Sequence, residues 1–261
     1  MSLIIVASHT ELVAAINNFN AGYHRDYSCV RKLSASYLKT PLSSTAAQLA
    51  QELSNVLYRW GAGKRKAPLV QPIKVIEKAL LDPDFHKLLS WFASITPAML
   101  SLTGTGHSLK RTISTSTCAI LDANLLSVLS QISAKFLIGN TNVTYPMKAM
   151  MLLTGFMPAL DSQVRKGLGL ASFKNTNVTQ FLMPSLSKSS EALKLTRLPF
   201  YLADCYTRHT LLINTAIAAS MYPLLVTEPS RVFDILLFMQ GSTGAALLKL
   251  NTSASRWYDI P

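Results

Sequence analysis

Residues 43–60, SSTAAQLAQELSNVLYRW, carry the clearest structural signal in the chain. From Ala46 onwards the apolar side chains recur at spacings of three and four residues, which places them on one face of an α-helix. That apolar face consists of Leu49, Leu53, Val56, Leu57 and Trp60. Hydroxyl side chains at 43–45 can cap the helix, and the Gly-Ala-Gly sequence at 61–63 ends it. The stretch therefore predicts an amphipathic helix with one face in a core.

The same helical spacing recurs along most of the chain, from Glu11–Phe19 near the start to Arg231–Met239 near the end. Alternation of apolar and polar residues is nearly absent, and LIIVA at residues 3–7 is the one plausible short strand. Glycines and hydroxyl residues predict a turn at residues 103–107, TGTGH. These patterns predict an all-α, or nearly all-α, multi-helix fold.

The composition is that of a folded, basic protein. Apolar residues make up 49% of the 261 positions and charged residues 15%, which excludes a disordered chain. This length suits one helical domain over residues 1–261, and two helical lobes, 1–112 and 113–261, with a cleft between them are the alternative arrangement.

The 25 Lys and Arg against 13 Asp and Glu give a net charge of +12. Such an excess indicates a polyanionic partner, with nucleic acid first and an anionic membrane surface second; charge that only maintains solubility is the alternative.

The three cysteines, Cys29, Cys118 and Cys205, are far apart and lack the spacing of metal ligands. The five histidines are scattered as well, so we expect no metal site and no disulfide framework. Unpaired cysteines fit a reducing compartment, and the first residues lack the basic region and cleavage site of a secretory signal. We therefore expect a cytoplasmic protein.

Residues 209–227, HTLLINTAIAASMYPLLVT, contain no charged residue and are about long enough to span a bilayer. However, Asn214, Ser220 and Pro223 interrupt the apolar character, and a proline breaks a helix. A buried helix that ends before Pro223 explains the stretch better than a membrane span. We therefore expect no stable membrane association, and a membrane-surface or toxin-like protein is the alternative.

Two loops combine glycines with cations. In the first, GAGKRKAP at 61–68, Lys64, Arg65 and Lys66 follow a glycine pair at a helix end. Free backbone amides and cations can hold phosphate, although the spacing is not that of a Walker A loop and a solvated turn is the alternative. The second loop, 103–111, brings Lys110 and Arg111 next to small hydroxyl residues and is a weaker phosphate-binding candidate.

The segment 136–168 combines the groups needed for chemistry on a sugar. A short apolar helix carries Lys148, a Pro-containing turn follows, and Asp161 begins the next helix. That helix carries Arg165 and Lys166, which are candidate contacts to DNA. A carboxylate next to DNA can stabilise the oxocarbenium-like cation that forms when a glycosidic bond breaks. A lysine with a lowered pKa can attack the anomeric carbon and form a Schiff base.

Residues 157–165, MPALDSQVR, resemble the apolar-Pro-x-Asp-(Thr/Ser)-x-Val-x-Arg segment of the helix-hairpin-helix DNA glycosylase superfamily. The resemblance implies that Asp161 is catalytic and that Lys148 is the amine of a bifunctional enzyme. It also implies a DNA-binding hairpin at Gly139, Asn140 and Asn142. The chain departs from the family in four respects. It lacks the Leu-Pro-Gly-x-Gly hairpin, and it has one more residue between the Pro and the Asp. The helix from Lys148 to the turn is shorter than usual, and no cysteine cluster follows. It is also similar to bacterial phage-defence glycosylases that excise bulky modified bases.

A glycosylase that flips a base needs stacking rings and polar groups that read the base edge. The candidate rings are Trp60, Tyr145 and Phe156, and the candidate readers are Asn140, Asn142 and Gln163. The leading hypothesis is a DNA N-glycosylase that acts on duplex DNA without a cofactor. The alternative is a non-enzymatic DNA- or RNA-binding protein in which the cations contact phosphate and Asp161 is only a helix cap.

Overall fold

The computed structural model describes residues 2–105, 108–176, 194–251 and 260. Helices dominate this part of the chain, which confirms the predicted fold class. The α-helices are α1 (His9–Asn18), α2 (Ala21–Lys39), α3 (Ser43–Arg59), α4 (Ile73–Leu80), α5 (Pro83–Ser94), α6 (Cys118–Phe136), α7 (Thr144–Thr154), α8 (Ser162–Leu170), α9 (Leu198–Ala218) and α10 (Pro229–Thr243).

Helix α3 is the amphipathic helix that its sequence predicts. Its apolar face is completely buried at Leu49, Leu53, Val56 and Leu57. Burial of each of these side chains stabilises the fold by about 1.5–3 kcal/mol. The helix ends at Trp60, and the glycines that follow have φ angles of 101° and 75° at Gly61 and Gly63, a region that side chains disfavour.

The described residues form three short antiparallel ladders, two of which join distant parts of the chain. Strand β1 (Leu3–Ile5) pairs with β6 (Leu248–Leu250), β2 (Leu69–Val70) with β5 (Leu137–Ile138), and β3 (Leu100–Thr105) with β4 (Ser108–Ile113). The first strand was expected, whereas strands β3 and β4, around the turn predicted at residues 103–107, were not. Buried and exposed side chains alternate along β4, with Leu109, Arg111 and Ile113 buried. Because one of the buried positions is an arginine, the sequence shows no alternation of apolar and polar residues. Gly106 and His107, in the predicted turn, lie outside the described residues.

Helix α9 is one continuous helix in the structure, although the sequence pattern predicts two separate helices in this region. It runs through Leu198–Ala218 and departs from helical geometry at His209, where φ is −117° and ψ is 19°. The expected end before Pro223 is correct, and a 3₁₀ turn, Pro223–Thr227, follows. Within the described residues, no helix is long and apolar enough to cross a membrane.

The two halves of the chain share one apolar core. Helices α2 and α3 pack against α7, and α4 packs against α6, so the packing crosses residue 112 repeatedly. The closest approach is between α8 and α10. A Cβ atom on Gly167 would lie 2.0 Å from the carbonyl oxygen of Leu237, and one on Gly241 would lie 2.0 Å from that of Gln163. Two glycines thus allow backbone-to-backbone contact, which fixes the start of α8 beside α10.

Candidate active site

A small cavity lies where α2, α7, α8 and α10 meet the end of α3. It is lined by Phe19, Tyr23, Trp60, Lys148, Met151, Ala159, Asp161, Arg231, Asp234 and Phe238. The lining therefore includes Lys148 and Asp161, the two residues for which the sequence predicts chemistry. The free space is about 30 Å³, which is room for about two water molecules. The lining comes from both sides of residue 112, so the cavity lies between the two halves of the chain.

Asp161 has a structural role and also faces the cavity. It is the N-cap of α8, and its Oδ1 accepts hydrogen bonds from the backbone N–H groups of Gln163 at 2.9 Å and Val164 at 3.0 Å. Both bonds use Oδ1, so the cap does not consume Oδ2. The positive end of the helix dipole stabilises a carboxylate at this position. The arrangement can therefore present a fixed negative charge to the cavity.

Lys148 is buried rather than solvated. Its Nζ donates a hydrogen bond of 2.9 Å to the carbonyl oxygen of Trp60 and lies 4.8 Å from the ring centroid of Tyr145. Burial lowers the pKa of Lys148 below its ordinary value, and the carboxylates of Asp161 and Asp234 counteract part of this effect. A lowered pKa increases the fraction of neutral amine, which is the nucleophilic form.

A second carboxylate, which the sequence does not reveal, lines the cavity: Asp234 on α10. Its Oδ1 accepts a hydrogen bond of 2.9 Å from the backbone N–H of Ala159, and its Oδ2 pairs with Arg231. Burial raises the pKa of Asp234 to about 6; Arg231 opposes this rise and the charge of Asp161 adds to it. Because Ala159 lies two residues before Asp161, Asp234 holds the turn that delivers the first carboxylate. An Arg and an Asp three residues apart in an otherwise apolar helix are the signal that could have revealed this pair.

Arg231 is almost completely buried among aromatic rings. Its guanidinium carbon lies 4.8 Å from the ring centroid of Tyr27, 4.9 Å from that of Phe19 and 5.7 Å from that of Trp60. Its Nε has no hydrogen-bond partner among the described residues. The cavity thus combines two carboxylates and two cations with aromatic walls, a composition that suits a flat, polar-edged ligand.

The predicted phosphate-binding loop at residues 61–68 and the predicted DNA-binding hairpin at residues 139–142 lie at one end of the β2–β5 ladder. Leu69 begins β2 directly after the loop with Lys64, Arg65 and Lys66, and it pairs with Ile138, directly before Gly139. All three cations are exposed. The first loop follows Trp60 directly, and a Cβ atom on Gly61 would lie 3.1 Å from Oη of Tyr145. The loop at residues 61–68 therefore lies next to Trp60, one wall of the cavity, and the ladder places the segment after Ile138 beside this loop.

Two predicted DNA contacts are wrong because their guanidinium groups are buried. Arg111 donates to both carboxylate oxygens of Asp122, at 2.7 and 2.9 Å, and packs within the core. Arg165 donates to the carbonyl oxygen of Leu160 at 2.8 Å and to Oγ1 of Thr144 at 3.1 Å, which ties the start of α7 to the turn before Asp161.

The neighbouring lysines, Lys110 and Lys166, are exposed. Lys110 stands on the β3–β4 hairpin, which packs mainly on α9, and Lys166 stands on α8. Both remain candidates for contact with phosphate.

Of the residues predicted for the base pocket, Trp60 lines the cavity, and Tyr145, Phe156 and Gln163 do not. Phe156 packs against Phe92, with ring centroids 4.9 Å apart, and faces a different cavity. The ring of Tyr145 is outside the cavity lining, and its centroid lies 4.8 Å from Nζ of Lys148.

The three predicted readers do not line the cavity, and two of them make local hydrogen bonds. Oδ1 of Asn142 accepts from the backbone N–H of Thr144 at 3.0 Å, and Nδ2 of Asn140 donates to Oγ of Ser133 at 2.7 Å. Oε1 of Gln163 is buried without a hydrogen-bond partner among the described residues. These local contacts cannot be read from sequence spacing.

Within the described ranges, no three His, Cys, Asp or Glu side chains group as a metal site. Comparison of the chain with protein-family models, with curated proteins and with solved structures gives no match.

Proposed function

We propose that this protein is a DNA N-glycosylase that flips a modified or damaged base out of duplex DNA and cleaves its glycosidic bond. The observation that carries the proposal is the shared cavity of Lys148 and Asp161, a buried amine and a capped carboxylate with an aromatic wall. The adjacent cationic loop with Lys64, Arg65 and Lys66 supplies contacts to phosphate. An enzyme that acts on a base in duplex DNA needs both a surface that binds phosphate and a pocket that receives the flipped base.

In the proposed reaction, the bond between the sugar C1′ and the base nitrogen breaks, and its electron pair leaves with the base, which takes up a proton. The Asp161 carboxylate stabilises the cation that develops on the sugar. Oxygen of a water molecule then bonds to C1′ and loses its proton to solvent, which gives an abasic site. If Nζ of Lys148 bonds to C1′ instead, the nitrogen loses a proton, the C1′–O4′ bond breaks and O4′ takes up a proton. The product is a protonated Schiff base, which leads to strand cleavage.

The surroundings suit these roles. Asp234 holds the backbone of Ala159 and so fixes the turn before Asp161. Burial lowers the pKa of Lys148, which favours the neutral, nucleophilic amine. A base does not fit the 30 Å³ of free space, so the proposal requires the wall formed by Met151 and Phe238 to move outward when a base enters.

The test is cleavage of duplexes that carry single damaged or bulky modified bases, with alkali treatment to reveal abasic sites. We expect wild type to cleave at least one substrate and Asp161→Asn to cleave none, because the asparagine keeps the helix cap but lacks the charge. Borohydride trapping should give a covalent product that is absent in Lys148→Gln and present in Lys74→Gln, a variant of an exposed lysine on α4.

The alternative, a non-enzymatic DNA- or RNA-binding protein, has one observation in its favour. Asp161 has a complete role as the cap of α8 without any substrate. If wild type binds duplex DNA but leaves every substrate intact after alkali, the enzyme proposal fails and the binding function remains.

A further inference from the structure

Three exposed apolar side chains lie together at the β2–β5 ladder. Leu69 is 52% exposed, its cross-strand partner Ile138 is 45% exposed, and Tyr58 on α3 is 43% exposed. The other pair of the ladder, Val70 and Leu137, is buried. Because successive side chains of a strand point to opposite faces, Leu69 and Ile138 share the outward face.

Tyr58 and Leu69 are held together by the glycine between them. A Cβ atom on Gly63 would lie 3.3 Å from Cε1 of Tyr58 and 3.4 Å from Cδ2 of Leu69, so both side chains pack over this glycine. We call Tyr58, Leu69 and Ile138 the ladder knuckle. Scattered apolar residues on a surface need no explanation, but a contiguous group of this kind often marks an interaction site.

The rim of the ladder knuckle is cationic. Lys64, Arg65 and Lys66 are exposed in the loop that leads into β2, and within the described ranges none of them forms a salt bridge. The sequence has no acidic residue between Glu52 and Glu77. The segment that contributes Ile138 is also free of acidic residues, from Asp122 to Asp161. An exposed apolar tip next to three exposed cations complements a polyanion that also offers apolar surface.

We propose that the ladder knuckle docks in the minor groove of duplex DNA, with Leu69 and Ile138 against sugars and base edges and the three cations on flanking phosphates. Apolar side chains flanked by Lys and Arg are a recurrent means of minor-groove binding. The inference rests on the proposed function, because Trp60 connects this surface to the candidate active site. A membrane surface is less suitable, since membrane binding scales with the buried apolar area and this tip consists of three side chains.

The test measures binding of fluorescently labelled duplex DNA, without cleavage, to the full chain carrying Asp161→Asn. In that background, L69S/I138S should weaken binding by at least about tenfold, because two apolar contacts are lost, and should leave the salt dependence unchanged. Replacement of Lys64, Arg65 and Lys66 by Gln should also weaken binding and should reduce the log–log salt slope by about 2 to 3. The matched control is L211S/L224S, since both of these leucines are 80% exposed on α9 and the 3₁₀ turn that follows it. This control should change affinity less than about twofold.

Three results would overturn the inference. They are wild-type-like duplex binding by L69S/I138S, equal affinity for single-stranded and duplex DNA, and binding to anionic vesicles in preference to duplex. Circular dichroism of each variant excludes misfolding as the cause of a loss.

The outcome for the enzyme proposal is separate. Cleavage by wild type together with normal binding by L69S/I138S would remove only the docking surface. Knuckle-dependent binding without cleavage would remove only the glycosylase. A protein that binds no duplex would remove both.

Discussion

The contact between α8 and α10 gives the sharpest test of how the candidate site is held. A Cβ atom on Gly167 would lie 2.0 Å from the backbone oxygen of Leu237, whereas carbon–oxygen contacts need well over 3 Å. Gly167→Ala therefore forces the two helices apart by more than about 1 Å. Overpacking costs about 3 kcal/mol, and better helix propensity returns about 1 kcal/mol. The expected net loss of stability is about 2 kcal/mol, or a fall in Tm of about 4–8 °C.

The matched control is on the same helix. A Cβ atom on Gly169 would meet only Oγ1 of Thr176 at 3.4 Å, an ordinary contact, and the residue is exposed. Gly169→Ala should therefore raise stability by up to about 1 kcal/mol. Urea denaturation followed by circular dichroism measures both changes. Equal effects of the two substitutions, or no loss for Gly167→Ala, would refute the close packing that fixes Asp161 beside Asp234.

Three further predictions follow from buried charges. Asp234 has a pKa raised to about 6 from 3.8 in the unfolded chain, so the folded state holds its proton more tightly. Wild type should lose about 2 kcal/mol of stability relative to Asp234→Asn as the pH rises from 4 to 7, and parallel urea-midpoint curves for the two proteins would contradict this. Arg111→Ala should cost about 3–5 kcal/mol, because it leaves Asp122 partly unpaired, whereas Lys110→Ala should stay within about 0.5 kcal/mol. Thermal melts that rank these two equally would contradict the buried ion pair. Asp161→Ala should cost about 1 kcal/mol through loss of the helix cap, and Asp161→Asn should cost less, as chemical denaturation can measure.

Local signals predicted much of the fold. Helix α3 could be found from its sequence because its apolar spacing, capping hydroxyls and terminal glycines agree within 20 neighbouring residues. Asp161 was identified as a helix cap and a candidate for chemistry for the same reason, since the Pro turn and the helix start are adjacent to it. The hairpin β3–β4 was missed because Arg111 occupies an inward position and conceals the alternation.

The remaining parts of the site depend on contacts between distant residues. Nothing near Arg231 or Asp234 in the sequence shows that α10 packs against the turn before Asp161. Likewise, the burial of Arg165 depends on a carbonyl and a hydroxyl supplied by Leu160 and Thr144. Sequence spacing reports which residues share a helix face, but not which helix that face meets.

The pairing of β1 with β6 has a consequence for synthesis on the ribosome. Leu3 pairs with Leu250, so the first strand cannot complete its ladder until nearly the whole chain has emerged. At ordinary translation rates β1 waits roughly 10–50 s for its partner. During this time its apolar side chains, Leu3 and Ile5, lack the cover that β6 later provides, and helix pairs nearer in sequence must form the first stable nucleus. The β1–β6 ladder therefore forms late in synthesis. Chaperone dependence should be greatest for nascent chains that end before residue 248.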